Sequence, residues 1–152
     1  MMRAVIQRVS RASVSVGATV VGQIGWGLVV LLGIGDQDTE ADADAMADKL
    51  AGLRILADNA GKMNLSVVDL GGEVLVISQF TLYGDVRKGR RPSFVHEADS
   101  EQADPLVRRV ADGVAAHGVT VATGEFGAHM EVDLVNNGPV TVVIETAGGR
   151  IR

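Results

Sequence analysis

Two strand-like runs near the C-terminus, residues 131–135 and 140–144, are separated by a step that a central strand does not tolerate, Gly138-Pro139. Proline has no backbone donor and interrupts a ladder, while glycine lets the main chain come close to another molecule. Two readings follow. The step is a turn between neighbouring strands, or it is a recognition surface that presents backbone carbonyls in a fixed direction with no side chain in the way. The two residues alone favour the turn.

A chain of 152 residues suits one domain with a substantial core, here taken as 1–152. Apolar residues make up 47% of it but aromatics only 3%, so the core must be built from Val, Leu, Ile and Ala. Period-2 alternation predicts strands over 4–9 and 12–16, the second turning at Gly17 into 19–24. The continuous apolar run 28–34 suits a strand covered on both faces. Further strands are expected over 73–80, 119–122, 131–135 and 140–144. Thr39 with Asp42 approximates a capping box and opens a first helix, whose buried face is Met46, Ala47, Leu50 and Leu53. A second helix is expected over 106–116, with Asp104 as its cap and Pro105 at the permissive first position. The fold class is therefore α+β, a single domain with a curled, barrel-like β-sheet and two helices packed outside it. The tail, residues 145–152, is expected to fray.

The absence of cysteine excludes a disulfide framework and thiolate metal sites, and suits a reducing compartment. The N-terminal residues carry charge early and include no long apolar stretch, so neither signal peptide nor membrane span is expected, and the expected location is cytoplasmic. Six acidic residues between Asp36 and Asp48 more than account for the net charge of −5. By contrast Arg87, Lys88, Arg90 and Arg91 cluster in one loop. Such a loop can meet phosphate, or it is an ordinary solvated surface.

The chain has no Gly-x-Ser-x-Gly elbow, no phosphate-binding loop and no His-Glu-x-x-His pair. His96, His117 and His129 are scattered, so no metal and no cofactor is expected. His117 suits the negative end of the second helix. Chemically richer is Ser78-Gln79-Phe80-Thr81, where polar groups gather at the end of a buried strand. They can stabilise an oxyanion in ester attack, or they satisfy backbone groups at the strand end.

Five segments together carry a resemblance: Ile6-Gln7-Arg8-Val9, Gly61-Lys62-Met63-Asn64-Leu65, Ser78-Gln79-Phe80-Thr81-Leu82, Arg91-Pro92-Ser93-Phe94 and Val135-Asn136-Asn137-Gly138-Pro139-Val140-Thr141. In order and spacing they make the chain resemble the D-aminoacyl-tRNA deacylase family, from about Met2 to Ile144. The resemblance implies a homodimer that hydrolyses the ester of tRNA charged with a D-amino acid or glycine, with each active site at the dimer interface. It implies a cis Gly138-Pro139 peptide that reaches into the partner subunit's site and excludes L-residues. Ser78, Gln79 and Thr81 would be catalytic, while Phe80, Phe94 and Met130 would line the amino-acid pocket with Gly138 and Pro139. Arg8 would support the Gly-Pro step, and Arg87, Lys88, Arg90 and Arg91 would contact tRNA. The ribose 2′-hydroxyl would help to activate water.

Two alternatives stay open: hydrolysis of another small ester with Thr81 as nucleophile, and a non-enzymatic RNA-binding adaptor. Thr81 has no sequence-adjacent His or Lys to act as its base. The chain departs from the family pattern at Tyr83-Gly84, in the extra charge of the basic loop, and after Ile144.

Overall fold

The computed structural model describes residues 1–152. Its longest early element is β1 (Met2–Val16), followed by β2 (Thr19–Ile24) and β3 (Gly27–Gly33). Then come α1 (Glu40–Gly52), the short strands β4 (Leu56–Ala57) and β5 (Met63–Leu65), α2 (Val67–Leu70) and β6 (Glu73–Ser78). A 3-10 turn (Phe80–Tyr83), α3 (Ser100–Ala115), β7 (Thr120–Thr123), β8 (Glu131–Ala147) and β9 (Arg150–Ile151) complete the chain.

The main sheet has the order β7-β6-β3-β1-β8-β9, with β2 on the distal half of β1. The pairs β3–β6 and β6–β7 are parallel and the others antiparallel. One face carries Met2, Ala4, Ile6, Leu28, Val30 and Leu32, all fully buried with residues of α1 and α3. The opposite face curls on itself, so that Ile24 of β2 packs with Val9, Val14, Val29, Leu75 and Ile77. Each such aliphatic side chain contributes roughly 1.5–3 kcal/mol on burial, which makes these two clusters the main stabilising feature. The expected curled sheet with two long helices outside it is thus the observed architecture, and no helix is long and apolar enough to cross a membrane.

Several boundaries differ from expectation for identifiable reasons. Residues 4–9 and 12–16 form one bent strand, because β1 changes partner from β3 to β2 while its register with β8 shifts near Arg8 and Ser10. The runs 131–135 and 140–144 are likewise one strand, β8, with Gly138-Pro139 held in a bulge. The second helix begins earlier than its proline suggested. Asp99 caps it by accepting from Gln102 N at 2.9 Å, and the Gln102 side chain donates to Asp36 O at 2.9 Å. These bonds and the burial of Ala103 carry the helix through Pro105, which lies inside it. His117 follows this helix and pairs with Asp48 of α1 at 3.1 Å.

The tail is ordered. Gly148 and Gly149 have φ of 60° and 72°, the pair of left-handed residues that a tight hairpin turn demands, and β9 returns along β8. Asp42 secures it: its carboxylate accepts from Gly149 N at 2.8 Å and from Thr39 N at 3.0 Å, so the carboxylate that completes the capping box of α1 also anchors the final hairpin. Burial pushes the Asp42 carboxyl up, but these donors outweigh it and hold the group below its ordinary value. The stabilisation is therefore present above the ordinary carboxylate range, about pH 4, and is lost as pH falls through the lowered value. Asp42→Ala should cost about 2–3 kcal/mol in urea unfolding at neutral pH, since it removes the charge-assisted bonds that cap α1 and tie it to the final hairpin. An unchanged midpoint would contradict this anchoring.

Candidate active site

Strand β6 ends at Ser78, which pairs with Leu32 of β3, and the ladder runs one step further because Gln79 N donates to Leu32 O at 2.8 Å. The chain then tightens into the 3-10 turn, closed by Gly84 N donating to Thr81 O at 3.0 Å. Within this turn the Gln79 side-chain amide donates to the Thr81 hydroxyl. Phe80 is left 54% exposed, and its ring meets Phe94 edge to face with centroids 5.3 Å apart.

A cavity of about 560 Å³ opens here, lined by Ser78, Gln79, Phe80, Phe126, His129 and Met130, among others. The structure thus gathers four of the expected residues directly, Ser78, Gln79, Phe80 and Met130. Thr81 and Phe94 do not line the cavity and adjoin it through Gln79 and Phe80. Sequence reasoning missed Phe126 and His129, which approach from the segment between β7 and β8. His129 sits beside the expected Met130, and only the tertiary fold brings that pair to the end of β6. No group of three or more His, Asp or Glu residues converges in a way that could hold a metal ion.

The Gly138-Pro139 step lies elsewhere. Val9 pairs with Asn136 and Gln7 with Thr141, so residues 137–140 bulge opposite the single residue Arg8. The peptide is cis. Asn136 brackets the bulge: Val140 N donates to Asn136 Oδ1 at 2.8 Å, and Asn136 Nδ2 donates to Val140 O at 3.2 Å. Arg8 fixes it from below, Nε donating to Asn137 O at 2.8 Å while Nη1 donates to Ile55 O at 2.8 Å. Gly138 and Pro139 themselves remain exposed. Asn136 was not among the expected site residues, although its place two positions before a Gly-Pro step is a usable signal for such a clamp.

Strand register sets the distance between the two motifs. Ser78 is level with Leu32, Ala4 and Ile144 across β6, β3, β1 and β8. From there Pro139 is five residues further along β8, so the step lies roughly 20 Å from Ser78 at ordinary strand spacings and rises.

The basic loop is closed by a bridge between Asp85 and Ser93. Arg87 folds back on Asp85, with Nη2 at 2.7 Å from Oδ2, and this guanidinium holds the carboxyl down to about 2. Lys88, Arg90 and Arg91 are exposed and none has a carboxylate within 4.0 Å. Three of the four expected phosphate contacts are therefore available, and the fourth is internally paired.

With this geometry in view, the likeness to known proteins is decisive. A family model described as D-Tyr-tRNA(Tyr) deacylase matches residues 5–145. The chain belongs to that family. A D-aminoacyl-tRNA deacylase of Symbiobacterium thermophilum is 59% identical over 145 residues, 95% of this chain and 96% of the relative. One of Heliobacterium modesticaldum is 58% identical over 148 residues, covering 97% and 99%. Among solved structures, a c-Myc DNA unwinding element binding protein superposes with a TM-score of 0.88 at 39% identity, covering 96% of this chain and 99% of that one. A probable eukaryotic D-amino acid tRNA deacylase, with a TM-score of 0.83 at 18% identity, shares the fold over 95% of this chain. Residues 78–81 and Gly138-Pro139 both fall inside the matched span.

Proposed function

We infer that this chain is a D-aminoacyl-tRNA deacylase: it hydrolyses the ester joining a D-amino acid, or glycine, to the terminal ribose of tRNA, and it spares L-aminoacyl-tRNA. The observation that carries the reading is the separation of two rigid, exposed motifs on one chain. A gap of roughly 20 Å cannot be bridged by one amino acid, so a shared site needs two copies. The open sheet face supports such pairing. Leu31, Val5 and Val143 stand in one cross-strand row there, with Val143 62% exposed. In the homodimer the Gly138-Pro139 bulge of one copy meets residues 78–81 of the other.

Chiral rejection follows from rigidity. Enantiomers carry identical groups, so discrimination depends on where a fixed surface leaves room around the α-carbon. The Asn136 and Arg8 bonds provide that fixity without reading side-chain identity, which admits many D-residues and also glycine. Water attacks the ester carbonyl carbon, the bond to the ribose oxygen breaks, and that oxygen leaves with a proton. Gln79 and nearby main-chain amides stabilise the intermediate oxyanion. The 2′-hydroxyl of the tRNA assists the water. Thr81 accepts a hydrogen bond from Gln79, and no His or Lys side chain is bonded to it, which favours an orienting role over that of a nucleophile.

Lys88, Arg90 and Arg91 contact tRNA phosphates on this reading, and the enzyme works in the cytoplasm. Arg90→Ala with Arg91→Ala should weaken tRNA binding and reduce the slope of its salt dependence by about two phosphate contacts. An unchanged slope would return the loop to plain solvated surface. The function itself is tested by release of labelled D-tyrosine, glycine and L-tyrosine from tRNA. Turnover of the first two and sparing of the third is expected, whereas equal hydrolysis of both enantiomers would refute it.

A further inference from the structure

A second cavity, of about 320 Å³, lies where the β2–β3 turn, the β4–β5 hairpin and the end of α2 meet. Trp26, Leu56, Ala57 and Leu70 give it an apolar lining, and Arg8 and Asn137, the pair that anchors the Gly-Pro bulge, complete it. Trp26 is the only tryptophan of the chain and is 60% exposed. The turn that carries it is pinned on both sides. Glu73 N donates to Trp26 O at 2.9 Å, and the Glu73 carboxylate accepts from Gly25 N at 2.9 Å. A large aromatic left in water on so fixed a backbone is a preorganised stacking surface, with little further order to be lost on binding.

Three cations in this region are open to an anionic ligand, although the carboxylates of Asp58, Asp69 and Glu73 share it and are held by backbone or side-chain amides. Arg8 lines the cavity, while Arg54 lies two residues before β4 and Lys62 directly before β5, the hairpin whose Leu56 and Ala57 line it. None of the three has a carboxylate within 4.0 Å. Arg54 is instead fixed by bonds to Asn64.

An aromatic face beside cations that make no direct ion pair is a combination that holds single-stranded nucleic acid, where bases stack and phosphates meet basic groups. We propose that this cavity takes a nucleobase from the unpaired 3′ end of the tRNA, stacked on Trp26, with Arg54 and Lys62 beside its phosphates. The inference rests on the deacylase reading: an ester held against the Gly138-Pro139 bulge puts the neighbouring unpaired nucleotides within reach of a cavity that shares Arg8 and Asn137 with that bulge.

Because Trp26 is the sole tryptophan, its emission reports occupancy directly. Intact uncharged tRNA should quench it, and tRNA trimmed of its unpaired 3′ nucleotides should not. Trp26→Ala should raise KM for D-aminoacyl-tRNA about tenfold with kcat nearly unchanged, and Trp26→Phe should restore most of the loss. Equal quenching by trimmed tRNA, or an unmoved KM in Trp26→Ala, would overturn the proposal. Emission that shifts with protein concentration rather than with tRNA would overturn it in favour of a contact between copies. If the wild-type protein deacylates nothing yet intact tRNA alone quenches Trp26, the deacylase reading fails and the base site stands.

Discussion

Gly138→Ala should lower kcat/KM for D-aminoacyl-tRNA by at least about a hundredfold, while urea unfolding shifts by no more than about 2 kcal/mol. Gly138 has φ of 151°, a region that side-chain-bearing residues rarely adopt. A Cβ placed there would come within 2.6 Å of Val140 N and 2.7 Å of Val140 Cγ2. Val140 N is also the group that donates to Asn136, so the added methyl pushes against the clamp that fixes the bulge. The bulge must move. Displacement by about 1 Å at a positioning surface is enough for a loss of that size. Stability changes little because Gly138 and Pro139 are exposed and pack against no core cluster. Single-turnover deacylation measured beside urea unfolding separates the two effects, and a fully active variant would remove the bulge from the site.

The second large effect is expected at Gln79. Removing a preorganised oxyanion donor costs about a hundred- to thousandfold in kcat, with KM little changed. Gln79→Ala should behave in this way. Thr81→Val should lose less, about tenfold, because it removes only the acceptor that orients the Gln79 amide. The comparison discriminates between mechanisms. If Thr81→Val, folded and dimeric, lost all turnover while Gln79→Ala retained it, Thr81 would be the nucleophile and the RNA-assisted mechanism would fail.

What the sequence made legible was local. Alternation along β1, the continuous apolar run of β3, the turn at Gly17 and the Thr39–Asp42 cap each depend on residues a few positions apart, and each appears as expected. Pro105 misled because a helix start is decided by the whole first turn, and the Asp99 cap with Gln102 reaching Asp36 outweighs one missing donor. Gly148 and Gly149 misled in the opposite direction. Adjacent glycines suggest fraying, yet they also form the tightest hairpin turns, and a distant Asp42 decides between the two. At the site, Ser78-Gln79 and Gly138-Pro139 were visible as motifs. The Asn136 bracket depends on a four-residue bulge, and His129 enters the cavity only through the packing of the β7–β8 segment against β6.

The central claim, that each site is assembled from two copies, is tested most directly by mixing inactive variants. Gly138→Ala and Gln79→Ala chains, each inactive alone, should be unfolded and refolded together so that subunits exchange. A mixed dimer then carries one site with both Gln79 and Gly138 intact and one with neither, so random pairing should restore roughly a quarter of the wild-type D-aminoacyl-tRNA deacylation. No recovery from a mixture shown to contain mixed dimers would mean that both motifs serve the same chain, and would contradict the account.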